Sequence, residues 1–351
     1  MPEIENLTQQ DLAKLAGVAR ETVTRALKGH PSVGKTTAKR IRSLAAQHGY
    51  RPNAAARAMQ LGRFGSIALM LSTNYGRSYL PDSLLTGIHD ALTERELQLS
   101  VVKLPDDKLT DQGFVPKILR EWCCDGMLVN YTDHIPGKMI DLIRQSRHPA
   151  VWVNAKGEHD CVHPDDFGLA RQVAEHLIRL GHRRIAYVDF TVGRCEMDTA
   201  HYSRRDREAG YVAALREAGL APRIIQDDER IWPGHRARAR CREILAAPDA
   251  PTAFTGYSPD HLGVVLFEAE LAGLGVPEDL SLAGIGESVC MVGGRQIATL
   301  RVPEREVGRA AVELLIDKLA APLKPLPSRA VPAARQLEGE TCGPAPRDKT
   351  N

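Results

Sequence analysis

The sequence predicts an all-α helix-turn-helix headpiece at the N-terminus, followed by an α/β body in two lobes. Three observations lead there. Residues 7–49 hold three short stretches whose apolar positions recur with the period of a helix. From Ser66 onward, apolar strand-like runs alternate with helical stretches, as in a parallel, helix-covered sheet. A break over 155–164 then restarts that alternation, which gives a second α/β unit.

The headpiece comes first. Leu7–Gly29 reads LTQQDLAKLAGVARETVTRALKG. Thr8 can cap the first helix, with Asp11 three residues on, and Leu7 can staple against Leu12. Leu12, Leu15 and Ala16 are expected to line its inner face. Gly17 takes the turn. Val18 and Val23 repeat the staple spacing across Ala19, and Val23, Ala26 and Leu27 face inward. Arg20, Glu21, Thr24, Arg25 and Lys28 remain outside, a polar and mainly basic face presented to a partner. A third helix is expected over 35–48, with Ala38, Ile41, Leu44 and Ala45 on one side and Gly49 as its stop. Tyr50-Arg51-Pro52-Asn53 follows, then an alanine-rich stretch over 54–60 and a linker over 61–65.

Charge separates the head from the body. Residues 1–65 hold eleven Lys/Arg against four acids, so +7 sits on the head and −5 on the rest of a chain whose net charge is +2. A basic head on a mildly acidic body suits a phosphate-binding module joined to a domain with another task. Hydrophobic content of 43% and charged content of 26% are those of a soluble globular protein, and 351 residues suffice for two or three domains. Seven scattered cysteines form no C-x-x-C pair, which points to reduced thiols in a cytoplasmic protein. No apolar run approaches the roughly 18 residues of a membrane span.

In the body, strands are expected at 66–71, 98–104, 126–130 and 150–154, with helices at 82–96, 111–122 and 137–145 between them. After the break come helix 166–180, strand 184–189, helix 205–218, strand 252–255, helix 260–272 and strand 281–285. Strand 298–302, helix 304–319 and a Pro-rich tail close the chain. Two such units imply a cleft between lobes.

The motifs now carry a resemblance. Leu12-Ala13, Ala16-Gly17-Val18, Thr22-Val23, Arg25, Gly49-Tyr50-Arg51-Pro52-Asn53 and Ala56-Arg57-Ala58-Met59 resemble the headpiece and hinge of the LacI/GalR family of bacterial regulators. In the body, Gly181-His182-Arg183-Arg184-Ile185-Ala186, Arg207-Glu208-Ala209-Gly210-Tyr211, Val276-Pro277-Glu278-Asp279 and Gly308-Arg309-Ala310-Ala311 are similar to the same family. The resemblance implies a hinge helix and a periplasmic-binding-protein-like, two-lobed effector domain. It implies a headpiece over 1–52, a hinge and linker over 53–65, an effector and dimerisation domain over 66–345 and a tail over 346–351. The first lobe would take 66–160 and 290–321, the second 161–289 and 322–345.

The implied function is a dimeric transcriptional regulator, a repressor, that binds a palindromic operator and answers to a sugar or sugar derivative. The dimer could further pair into a tetramer. Arg20 and Glu21 stand where the family varies with operator, so they would read bases, Arg20 at guanine O6/N7 and Glu21 at cytosine N4. Thr22 would touch phosphate, Arg25 a base or phosphate, and Lys28 and Lys35 the backbone. Thr8, Thr24, Tyr50, Asn53 and Arg57 complete the expected DNA-facing set, with Met59 as a minor-groove wedge. Ala19 is also in that set, but it replaces the family's usual serine and caps poorly.

In the cleft, Arg207 matches an arginine that holds an effector oxygen. Tyr257-Ser258 replaces the family's Asn-Asp pair, and Gly286 replaces an acid, with Glu287 beside it. Tyr79, Leu80 and Asn130 would line the wall. Two other readings differ in class: a regulator of the same fold governed by a protein partner or by no effector, and a sugar-processing enzyme with a DNA-binding head. No cofactor fingerprint appears, and His159 and His163, with Asp160, Asp165 and Asp166 nearby, match no metal spacing and read as a solvated interlobe loop.

Overall fold

The computed structural model describes residues 7–52, 58, 62–105, 113, 115–121, 123–132, 137–190, 201–226, 235–288, 290–333 and 336–347. Asn53, Arg57 and Met59, and with them all of the expected hinge helix but Ala58, lie outside the described residues. The chain divides into two compact units, Met1–Gly65 and Ser66–Asn351.

In the first unit, α1 (Gln9–Ala16), α2 (Arg20–Leu27) and α3 (Lys35–Gln47) enclose a small core of Leu12, Ala13, Ala16, Val23, Ala26, Ile41 and Ala45. Thr8 and Asp11 form a reciprocal capping box, and Leu7 and Val18 pack on the core as the staple spacing requires. Gly17 closes α1 at φ 59°, a left-handed conformation that glycine adopts without Cβ strain. Gly49 and Tyr50 close α3 by donating to Ala46 O (3.2 Å) and Ala45 O (2.8 Å). One inward position differs from expectation. Leu15 is 51% exposed and Ala13 is buried in its place, because α1 turns the face of Leu12, Ala13 and Ala16 toward both other helices.

The second unit holds two sheets. The first runs β2 (Gln98–Leu104), β1 (Ser66–Ser72), β3 (Gly126–Asn130), β4 (Ala150–Val153), β5 (Cys161–Pro164) and β12 (Arg329–Val331), all parallel. Helices α4 (Asp82–Thr93) and α11 (Glu304–Ala320) cover one face through Leu84, Ile88, Val307 and Ala311. On the other face, α5 (Lys117–Arg120) and α6 (Gly137–Ser146) contribute Ile118, Met139 and Ile143. The helices α4 and α11 meet through glycine. A Cβ on Gly87 would lie 2.0 Å from Arg305 O, and one on Gly308 2.4 Å from Leu84 O.

The second sheet runs β7 (Arg223–Gln226), β6 (Ile185–Asp189), β8 (Ala253–Gly256), β9 (Ser281–Gly286), β11 (Arg295–Arg301) and β10 (Cys290–Val292), with β13 (Leu337–Glu338) also on β11. Only β10 and β13 pair antiparallel among these described strands. Helices α7 (Asp166–Arg179) and α8 (Ser203–Glu217) cover one face, α9 (His235–Leu245) and α10 (Pro259–Leu271) the other.

Sheet membership moves the expected crossings. Residues 161–164 pair in the first sheet, so the chain leaves that lobe after Pro164 and not near 160. Residues 290–301 belong to the second sheet, so the return comes after Arg301, and the last crossing follows Val331 rather than residue 321. The expected solvated loop over 155–164 ends instead as buried β5. His163 is buried there, Asp160 accepts from Lys318 Nζ at 2.7 Å, and Asp165 caps α7.

Candidate DNA-reading face and interlobe cleft

On the headpiece, Arg20, Glu21, Arg25, Lys28 and Lys35 are exposed. Arg25 Nε donates to Glu21 Oε1 at 3.2 Å, an i,i+4 pair between half-exposed side chains. Such a pair is worth only a few tenths of a kcal/mol and gives way readily to bases or phosphate. Arg20, in the first turn, lies where a recognition helix meets base edges. Ala19 supplies no side-chain cap, which leaves the first amides of α2 without that partner.

Other members of the expected set have structural partners. Thr8 Oγ1 donates to Asp11 Oδ2 at 2.6 Å, and Thr24 Oγ1 donates to Gln9 Oε1 at 2.9 Å, which ties α2 to α1. Thr22 is half-buried, and Tyr50 packs against the headpiece core. Two basic residues outside the set hold the fold. Arg40 Nη2 donates to Ala16 O at 2.6 Å and Arg42 Nη2 to Ala26 O at 3.2 Å, so α3 satisfies carbonyls at the ends of both shorter helices.

In the body, the carboxyl ends of both sheets converge on one polar cluster, as ligand sites of open α/β sheets do. Arg207, from α8, is its hub. Its Nε donates to Asp166 Oδ1 at 2.7 Å and its Nη1 to Tyr257 O at 2.6 Å, while its guanidinium lies 5.0 Å from the Tyr257 ring centre. The Arg207 side chain is 12% exposed and that of Asp166 is 1% exposed. Burial, the largest single effect, works against the Arg207 charge, but Asp166 together with Tyr257 and Tyr187 outweighs it and holds the guanidinium above its ordinary pKa. Tyr257 Oη lies 3.2 Å from Ser203 Oγ. Ser258, its neighbour, is occupied in capping α10.

Contacts bridge the lobes. Tyr79 Oη donates to Glu287 of the opposite lobe and is itself held within the first lobe by Asn130 Nδ2, which donates to Tyr79 O at 2.9 Å. Tyr202 Oη donates to Asn154 Oδ1 at 3.2 Å, and His201 Nε2 lies 2.9 Å from Asn154 O. Lys156 Nζ reaches Asp206 Oδ2 at 2.5 Å. Leu80, expected on the cleft wall, packs against the core of the first lobe instead.

Sequence reasoning missed Glu304, which lies at the second interlobe crossing. It is 5% exposed, and its carboxyl is pushed up to about 8 by burial first and then by Glu287 and Asp166. Asp166, His201, Tyr202 and Asn154 were missed as cleft residues too. A signal was available for two of them, since Asp166 and Glu304 each open a helix directly after a strand at a lobe crossing.

Comparison with known proteins agrees with this architecture. Residues 8–53 match the family described as "Bacterial regulatory proteins, lacI family", and residues 174–342 match "Periplasmic binding protein-like domain". The ribose operon repressor of Escherichia coli (strain K12) is 25% identical over 329 residues, covering 90% of this chain and 94% of that protein. The HTH-type transcriptional repressor CytR of Escherichia coli (strain K12) is 27% identical over 319 residues, covering 89% of each. In fold, the chain is similar to the lac repressor dimer bound to operator and the anti-inducer ONPF, with a TM-score of 0.71 and 18% identity over 96% of this chain and 99% of that one. It is also similar to the transcriptional regulator CelR in its cellobiose complex, with a TM-score of 0.60 and 23% identity over 95% of this chain and 99% of that one. The chain thus joins a headpiece of the lacI family of bacterial regulatory proteins to a periplasmic-binding-protein-like domain, the arrangement of the repressors it is similar to.

Proposed function

We propose that this protein is a sequence-specific transcriptional repressor that binds a palindromic operator as a homodimer and is controlled by a sugar or sugar derivative held between the lobes. The observation that carries the reading is the pairing of an exposed Arg20 and Glu21 at the start of α2 with an interlobe cleft built around buried Arg207. Arg20 and Glu21 read bases, and Thr22, Arg25, Lys28 and Lys35 position the headpiece on phosphates. A two-fold dimer repeats those contacts on opposite half-sites, which makes the operator a near-palindrome.

The effector acts through its different affinities for the DNA-competent and incompetent states of the body. Residues that join the lobes, Tyr79 with Glu287 and Asn154 with Tyr202, are those whose contacts change as the cleft opens. Repressors similar in sequence, among them the ribose operon repressor, support regulation over catalysis. No helix among the described residues is long and apolar enough to cross a membrane.

The test is selection of bound duplexes from a random library with the purified protein, followed by a sugar panel against the selected duplex. A palindrome released or tightened by one sugar is the expected result. A palindrome indifferent to every sugar would place control with a protein partner, and the absence of any enriched sequence would overturn the repressor reading.

A further inference from the structure

The cleft is rich in unmet acceptors. Asn130, fully buried, donates to Tyr79 O, yet its Oδ1 has no hydrogen-bond partner. Glu304 is 5% exposed, and its Oε2 is also without one. The two are linked through the residues between them, since Tyr79, held by Asn130, donates to Glu287, and Glu287 acts electrostatically on Glu304. A buried acceptor left unpaired costs roughly 1–3 kcal/mol, more if it is charged, so a ligand that donates to both recovers that loss.

Charge narrows the ligand further. Three carboxylates, Glu304, Glu287 and Asp166, share the cluster with one guanidinium, Arg207. That guanidinium is committed to Asp166 and to the Tyr257 carbonyl. Arg207 acts on Glu304 and Glu287 from its place beside Asp166, so this cluster holds more carboxylate than cation. The repulsion between Glu304 and Glu287, added to burial, is what pushes the Glu304 carboxyl up to about 8. Among the described residues no group of three His, Cys, Asp or Glu side chains is placed to hold a metal ion.

We propose that the effector carries a protonated amine on a hydroxylated frame, an amino sugar or aminated polyol, with the ammonium held by Glu304 and Glu287 and a donor group on Asn130 Oδ1. This rests on the reading of the cleft as the effector site and names the ligand class for it. The hydroxyl groups meet Ser203, Tyr257 and Tyr202, which are polar but uncharged. At neutral pH the incoming ammonium displaces the proton held on Glu304, so binding releases a proton to the buffer.

The experiment is calorimetric titration of the full-length protein with glucosamine and galactosamine, their N-acetyl derivatives, and glucose and galactose. An amine is expected to bind at least about ten-fold tighter than its neutral counterparts, with a heat that varies with the ionisation enthalpy of the buffer. In Glu304→Gln, whose fold is checked by thermal melt, that preference falls toward parity and the proton release is lost. A neutral sugar that binds as tightly as its amine would overturn the inference and leave the effector site standing. No binding by any of the six at millimolar concentration would overturn both.

Discussion

Tyr79, on the loop after β1, donates its phenolic hydrogen to the carboxylate of Glu287, which follows β9 in the opposite lobe. The two are 208 residues apart in sequence and meet across the cleft mouth. Tyr79 is 38% exposed, so water competes for this bond and holds its net worth to that of an ordinary intramolecular hydrogen bond, about 1 kcal/mol. That magnitude suits a latch that opens and closes on ligand binding.

Removing the latch has a readable cost. Tyr79→Phe is expected to weaken effector binding by about five-fold, the equivalent of about 1 kcal/mol, without lowering the thermal midpoint appreciably. Titration of the effector into both proteins checks it. Unchanged affinity would mean that the bound state does not require this bridge.

Arg207→Met acts on stability as well as binding. It leaves Asp166, 1% exposed at its side chain, as a buried charge without its partner, a loss of about 3–5 kcal/mol. Urea unfolding measures the loss, and Asp166→Asn in the same chain should restore part of it, because the two residues share one interaction.

The proposed division of the headpiece into reading and positioning residues can be tested by substitution. Arg20→Ala should relax base preference at one position of each half-site, at about 1–3 kcal/mol, whereas Lys35→Ala should weaken all duplexes alike and lower the salt slope by about 1. Binding to matched and mismatched duplexes at two salt concentrations distinguishes them. Equal losses on every duplex from both variants would refute the division.

Glu304 makes stability depend on pH in an unusual direction. Its carboxyl titrates near 8 in the folded protein and near its ordinary 4.5 in the unfolded chain, so the folded state holds the extra proton between those values. Stability from this group is complete below about pH 4.5 and is lost as pH rises through 8. Denaturant midpoints across that range should therefore decline more in the native protein than in Glu304→Gln.

Ala19→Ser restores a cap to α2 and should raise the local stability of that helix by about 1 kcal/mol. Amide exchange at Glu21 and Thr22, the second and third residues of α2, is the measurement, and protection there should increase.

The headpiece was readable because its information is local. Caps, staples and the αL glycine lie within a few residues of the groups they serve, as Thr8 with Asp11 and Gly17 with Ala13 demonstrate. Leu15 escaped because its flank position is set by where α2 and α3 pack. In the body, β1 and β3 were evident as apolar runs, and β2 as an alternating one. By contrast β5 and β12 have four and three residues, and each pairs with a segment more than 160 residues distant. No period can show such a pairing. Arg207 came from a motif, but its partner Asp166 did not, since nothing in a sequence joins two residues 41 apart into a buried ion pair.

The order of the crossings also sets when each part of the chain becomes whole. Residues 66–164 supply five of the six strands of the first sheet, but α11 and β12, at 304–331, complete it only after most of the second lobe has been made. At about 5–20 residues per second, a ribosome takes roughly ten to thirty seconds to span that gap. For that interval Leu84, Ile88 and Leu128 lack the cover that Val307 and Ala311 later give them. The nascent first lobe is thus the part of this protein most exposed to chaperones, and a chain that stops before α11 leaves a headpiece complete in its own core on a body that cannot close.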